Sequence, residues 1–154
     1  MLRQLVLADM DAAARVHRTA FDQAMPWLAG LHTPDEDRWF YRERVFPTCR
    51  VWGWFDEDEL MGIIAFREGW VDQLYVRPVA HGRGVGTDLL NVAKGVHDRL
   101  ELWTFQRNAP ARRFYEARGF MLVKQTDCRR NEEREPDIRY RWSRAPLDSR
   151  LIVV

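Results

Sequence analysis

The residues whose chemistry is easiest to read in this chain are three alternating glycines, Gly82, Gly84 and Gly86, lying between an apolar run and a helical one. Val71, Leu74, Tyr75 and Val76 suit a largely buried strand. Arg77-Pro78 ends it, because proline has no N–H to donate and biases its predecessor towards extended backbone. Leu89, Leu90, Ala93 and Val96 then recur at helical spacing, with Thr87 and Asp88 near the start. A turn without side chains can bend tightly and bring its amides close to a ligand. A helix N-terminus adds unpaired N–H groups and the positive end of its dipole. Residues 81–87 are therefore suited to hold a pyrophosphate; the plainer alternative is a turn that only reverses the chain. No Lys-Ser/Thr follows, which disfavours a Walker-type loop, and the third glycine falls one residue early for a dinucleotide fingerprint.

A second stretch lies downstream. Asn108 is a good N-cap, and Pro110 sits where the first helical turn can spare an N–H. Gly119 stands where a C-cap would be, and Phe120 opens a new strand. Asn108 and Tyr115 are seven residues apart, two turns, so they can share a face. Read alone, the same pattern is a short amphipathic helix with Asn as cap and Tyr as core.

Together the two stretches resemble the GNAT superfamily of N-acetyltransferases. That family places an Arg/Gln-x-x-Gly-x-Gly/Ala loop after a strand ending in a Leu-x-Val-x-Pro-like run. An Asn-x-x-Ala-x-x-Phe-Tyr-x-x-x-Gly-Phe helix follows about two dozen residues later. Here the strand run is Leu74-Tyr75-Val76-Arg77-Pro78 and the loop is His81-Gly82-Arg83-Gly84-Val85-Gly86. The helix matches at Asn108, Ala111, Phe114, Tyr115, Gly119 and Phe120. His81 stands where the family has Arg or Gln, a departure that touches a side-chain contact while leaving the backbone amides in place. The resemblance covers residues 70–123.

The resemblance implies acetyl-CoA as co-substrate, no metal, and a small-molecule or peptide amine as acceptor. Two parallel central strands would diverge, and pantetheine would lie between them against the backbone of Leu74, Tyr75 and Val76. The pyrophosphate would rest on the amides of His81, Gly82, Arg83, Gly84, Val85, Gly86 and Thr87, and Asn108 would contact pantetheine. The Arg83 side chain either adds charge there or is a solvated loop arginine. Acetyl transfer requires the amine to lose a proton, the developing oxyanion to be stabilised and the thiolate to be protonated. A backbone N–H near Val76 would serve the oxyanion. Tyr115, with an ordinary pKa of about 10, is the candidate acid for a thiolate of about 8.5. Asp72, in an apolar stretch of the central strand, is the candidate base, or else pairs with an arginine or caps a backbone group. His32 and Glu133 are secondary candidates; His81 is too far from the acyl carbon. Acceptor contacts are expected from Trp27, His32 and Glu133, in segments 27–32 and 131–137, although a charged run is also what a solvated loop looks like. A chain that binds acyl-CoA without turnover, as a regulatory module, is the alternative. A nicotinamide- or mononucleotide-binding half-domain is disfavoured by the loop spacing.

The elements that must carry these groups follow in order. Residues 2–7 read as a strand, and Asp9 or Asp11 caps a helix to Phe21 with an apolar stripe of Ala13, Val16, Ala20 and Ala24. His17 and Arg18 are expected to point outward. Residues 25–32 read as a loop, and Thr33-Pro34-Asp35-Glu36 opens a capped helix ending before Pro47, with Trp39, Phe40 and Val45 inward. Strands at 50–55 and 60–67 form a hairpin about an acidic turn. The central strand at 70–77, a helix to about Asp98 and a strand at 100–105 make a strand–helix–strand unit, hence parallel pairing with a right-handed crossover. A helix at 108–118 and strands at 120–125 and 138–143 complete the chain; residues 151–154 are apolar and unassigned. The expected fold is α/β in the layered α+β sense. It is a single GNAT-like domain over residues 1–154 with a mixed, mostly antiparallel twisted sheet, a splayed parallel central pair and flanking helices.

Composition agrees with one globular domain: 154 residues, 46% hydrophobic, 12% aromatic and net charge +1. Near-neutral charge suggests neither nucleic acid nor an anionic membrane as partner. There is no span-length apolar run and no signal-peptide pattern, so a cytoplasmic protein is expected. Cys49 and Cys128 lack metal-ligand spacing and are expected as free thiols. A homodimer would be in keeping with such folds.

Overall fold

A computed structural model describes residues 1–127 and 131–144. Cys128 and the apolar run 151–154 lie outside the described residues. The first strand, β1 (Leu2–Gln4), stops three residues earlier than expected and gives way to a 3₁₀ turn. Helix α1 (Met10–Ala24) follows, then a 3₁₀ turn at Pro26–Leu28. Helix α2 (Pro34–Phe40) opens with the expected capping box, in which Thr33 Oγ1 accepts from Glu36 N at 3.1 Å and Thr33 N donates to Glu36 Oε1 at 3.0 Å. It runs through a π-helical turn at Tyr41–Val45 into α3 (Phe46–Thr48), past Pro47. Then come β2 (Arg50–Asp56), β3 (Glu59–Arg67), β4 (Trp70–Val76), α4 (Val85–Val96), β5 (Arg99–Phe105), α5 (Ala109–Ala117), β6 (Met121–Gln125) and β7 (Asp137–Ser143).

Among the described residues seven strands form one sheet in the order β1-β2-β3-β4-β5-β7-β6. Every neighbouring pair is antiparallel except β4 and β5, which are parallel. Apolar residues cover both faces. On one, α4 and α5 pack Leu89, Leu90, Ala93 and Tyr115 against Ile64, Phe66, Leu102, Ile138 and Tyr140. On the other, α1 and the π turn pack Met10, Ala13, Tyr41 and Val45 against Val51, Ile63 and Ala65.

Two expectations about which face a side chain uses are corrected. Trp39 is 53% and Phe40 36% exposed, whereas Tyr41 and Val45 are buried. Tyr41 and Val45 are four apart and set the inward line, so Trp39, about 200° from Tyr41 on a helical wheel, faces solvent. There the Arg44 guanidinium lies 5.1 Å over its ring. His17 does not point outward either: its ring is stacked on Tyr75 with centroids 4.1 Å apart and planes at 22°. Among the described residues no helix is long and apolar enough to cross a membrane.

Candidate functional site

The site begins with a ladder that stops. β4 and β5 pair at a single position, Trp70 with Glu101, where Glu101 N donates to Gly69 O at 2.8 Å. On its other edge β4 is paired with β3 along its length, and Arg77 N donates to Met61 O at 2.8 Å. Hydrogen-bonding direction alternates along a strand. Tyr75 therefore bonds β3, and the backbone groups of Leu74 and Val76 face the open side. A cleft of about 800 Å³ fills that gap, walled by β4, β5, the loop before α4, α5 and the last turns of α1.

The glycine loop closes one end. Gly82 and Gly84 take φ values of 78° and 80°, a region costly for any residue with a Cβ, and Gly84 is the N-cap of α4. Gly86 is required for a different reason, since a Cβ there would sit 3.1 Å from the Phe114 ring. Its absence lets α5 close on the first turn of α4. The His81 ring turns back to the strand, where Nε2 donates to the Val76 carbonyl at 3.0 Å and ties loop to strand end. The Arg83 guanidinium leaves the cleft to pair with Asp56 at 3.3 Å and lie 5.4 Å over Trp54. Arg118, which sequence reasoning missed, reaches the loop instead. Its Nε donates to Thr87 Oγ1 at 2.9 Å, Nη1 donates to Phe114 O at 2.9 Å, and the guanidinium lies 3.7 Å over the Phe114 ring. Nothing in its local spacing marks it, because α5 is what carries it there.

α5 presents the two residues expected to share a face. Asn108 caps the helix, Oδ1 accepting from Ala111 N at 3.2 Å, and also lines the cleft, its amide NH₂ without a partner among the described residues. Tyr115 lines the same cleft, is 8% exposed and packs its ring against Phe114 and Phe120 with centroids 5.3 and 5.4 Å apart. Burial, reinforced by Tyr75, pushes its phenol above the ordinary value.

The setting expected for Asp72 is overturned. β3 and β4 slip register there: Phe66 pairs with Val71 and Ala65 with Gln73, so Asp72 is the extra residue of a bulge. It is exposed, accepts from Arg67 Nε at 2.7 Å and from the Cys49 thiol at 3.4 Å. Asp72 lines the cleft, and of the readings open for it the observed setting is the pairing with an arginine, not an apolar one. Cys49 is a free thiol, pushed up to about 11 by burial first and then by Asp72 beside it, net of a lowering from Thr48.

The opposite wall is the C-terminal part of α1. Ala20, Phe21, Gln23 and Ala24 line the cleft with Tyr75, Trp103 and Phe105. His17 Nδ1 lies 2.6 Å from Tyr41 Oη, and burial, then Arg18 and His32 against Asp37, lowers the imidazole to about 3. The charge of Glu133 reaches Tyr75, whose phenol is raised by burial first and Glu133 second. The cleft lining includes none of Trp27, His32 and Glu133, the residues expected to meet the acceptor. Trp27 Nε1 donates to Glu135 Oε1 at 2.6 Å, with Arg107 3.9 Å over its ring and 3.0 Å from the same oxygen. His32 faces Glu36 at 3.5 Å and Glu132 at 3.4 Å. Among the described residues no group of three or more His, Cys, Asp or Glu could hold a metal.

Comparison with known proteins gives this geometry a lineage. Residues 14–120 match the model of the acetyltransferase (GNAT) family. The chain is 32% identical over 93 residues to peptidyl-lysine N-acetyltransferase YiaC of Escherichia coli K12, a match spanning 60% of this chain and 62% of that protein, less than two thirds of its length. Apo YjaB from Escherichia coli superposes with a TM-score of 0.79 at 19% identity, covering 94% of this chain and 98% of its own. PaiA N-acetyltransferase from Thermoplasma acidophilum, solved with coenzyme A, gives 0.65 at 17% identity over 93% and 98%. These likenesses in fold, added to a family match that takes in both the glycine loop and α5, identify the chain as a member of the GNAT family of acetyltransferases.

Proposed function

We propose that this chain moves an acetyl group from acetyl-CoA to a primary amine by direct attack, with Tyr115 as proton donor to the departing thiolate. The observation that carries the reading is the open edge of β4, where the backbone of Leu74 and Val76 faces a cleft that ends on the glycine loop. Acetyl-CoA, when bound, supplies an activated acyl carbon; the remaining work falls to the chain. Leu74 and Val76 offer a strand edge to the pantetheine amides, whereas the backbone of Tyr75, expected there too, is taken up by β3; the Asn108 NH₂ is a further donor. The amides of His81, Gly82, Arg83, Gly84, Val85, Gly86 and Thr87 form the pyrophosphate cradle, and Arg118 brings a cation beside Thr87.

Tyr115 holds its proton because its phenol is desolvated. On the acceptor side, Glu133, whose charge is felt at Tyr75, is a carboxylate that attracts the ammonium. YiaC is described as acting on peptidyl lysine, which makes a lysine ε-amine in a peptide the first acceptor to try, ahead of small amines. Titration calorimetry with acetyl-CoA and NADH, followed by CoA release across an amine panel corrected for hydrolysis, tests the reading. Micromolar acetyl-CoA binding with amine-dependent release is expected. Binding without such release would leave an acyl-CoA-binding module in place of an enzyme.

A further inference from the structure

The acceptor wall contains an aromatic assembly that no step above uses. Tyr75 projects from β4 towards α1, on the side opposite Leu74 and Val76, and lines the cleft. His17 lies flat against it, centroids 4.1 Å apart, and meets Tyr41 edge-on at 5.4 Å with Nδ1 2.6 Å from the Tyr41 hydroxyl. Tyr41 is 1% exposed, and among the described residues this imidazole is the only partner of its hydroxyl. If Nδ1 carried the proton, the Tyr41 O–H would be buried without an acceptor, a costly arrangement. The ring is therefore assigned with a bare Nδ1 that accepts from Tyr41 and with its proton on Nε2. Phe21, 5.9 Å from His17 and 6.1 Å from Phe105, closes the stack from the next turn of α1.

Three different segments thus converge to hold one phenol still. We infer that His17 and Tyr41 form a lock that fixes the Tyr75 side chain as the positioning surface for the acceptor, its hydroxyl oxygen accepting a hydrogen bond from an N–H of the acceptor beside the strand edge that holds the donor. The inference rests on the transferase reading above and assigns a contact on the other side of the same cleft. A neutral imidazole suits a lock, since its hydrogen bond and stack persist across the pH range in which an amine is acetylated. The charged and titratable groups around it are Arg18, Asp37, His32, Tyr41 and Tyr75, and the two oppositely charged ones act against each other. His17 thereby differs from a base, which would have to take up a proton in each turnover.

The test separates the stack from the hydrogen bond. His17→Phe keeps a ring and loses the acceptor, Tyr41→Phe loses the donor, and His17→Asn keeps an acceptor near the Nδ1 position without the ring. Tyr75→Phe removes the proposed contact. With a lysine peptide as acceptor, Tyr75→Phe is expected to raise KM for the peptide about fivefold relative to KM for acetyl-CoA, the worth of one hydrogen bond. His17→Phe and Tyr41→Phe should shift the same ratio in the same direction, and the double variant no further than either alone. Nitrogen NMR of the wild-type protein should find His17 neutral, protonated at Nε2, from pH 5 to 8. An unchanged KM ratio in Tyr75→Phe overturns the inference, as does a His17 that titrates near 6.5 or carries its proton on Nδ1. Failure to acetylate any amine would overturn the transferase reading itself, and is told apart because the imidazole spectrum does not depend on turnover.

Discussion

The two walls of the cleft are made of different material. The donor wall is backbone: an unpaired strand edge, a loop whose Gly82 and Gly84 have positive φ, and the first amides of α4. The acceptor wall is side chain: Phe21 from α1, Tyr75 from β4 and Phe105 from β5, with His17 of α1 stacked on Tyr75. A grip made of amides tolerates any residue that leaves the path of the chain alone, so it can be kept while the opposite wall changes with the substrate. On this view the donor is fixed by fold and the acceptor by a handful of rotamers.

Substitutions can break or refine that contrast. The largest effect is expected at the junction of the walls, where Tyr115→Phe should lower kcat by about 10²- to 10⁴-fold, the usual range for a lost proton donor, while acetyl-CoA affinity from calorimetry hardly moves. Equal losses in both would make Tyr115 a packing residue. Next is the donor wall itself: Gly84→Val forces a Cβ onto a backbone at φ 80° and should weaken acetyl-CoA binding on the order of tenfold, with the amine KM little changed. Arg118→Ala should weaken acetyl-CoA by several-fold, about the worth of one charge-assisted contact at a partly exposed site, and the loss should shrink as salt is raised. A salt-independent loss would assign Arg118 to the support of Phe114 alone. The smallest effect is expected from Asp72→Asn, less than about threefold in kcat, because the carboxylate is occupied by Arg67. A hundredfold loss would restore Asp72 as the base.

The same contrast explains what could be read in advance. Gly82, Gly84 and Gly86 are visible because a backbone site needs particular residues at fixed offsets, and Asn108 and Tyr115 because one helix relates them. Strand order around the parallel pair follows from the strand–helix–strand unit. What escaped depends on register or on distant convergence. A single bulged residue moved Asp72 from the expected apolar setting to an exposed ion pair. Trp39 and Phe40 were assigned inward by hydrophobicity, whereas Tyr41 and Val45 set the buried line. His17 reads as a polar residue beside a narrow alanine stripe, and only the approach of Tyr41 and Tyr75 makes it part of the interior. Arg118 reaches Thr87 across 31 positions, a separation no local pattern encodes.

A sheet fastened between its fourth and fifth strands at one rung, Trp70 with Glu101, is mechanically two panels with a compliant seam. Whatever lies along that seam bonded to both panels becomes structural, so the cosubstrate should act as a stitch as well as a reagent. Saturation at a hundred times Kd stabilises a folded protein by about 2.7 kcal/mol. In a chain of this size that amounts to a rise in melting temperature of roughly 5–10 °C. Slowed amide exchange should be concentrated at Leu74, Val76 and the facing edge of β5, and the outermost strands should register little of it.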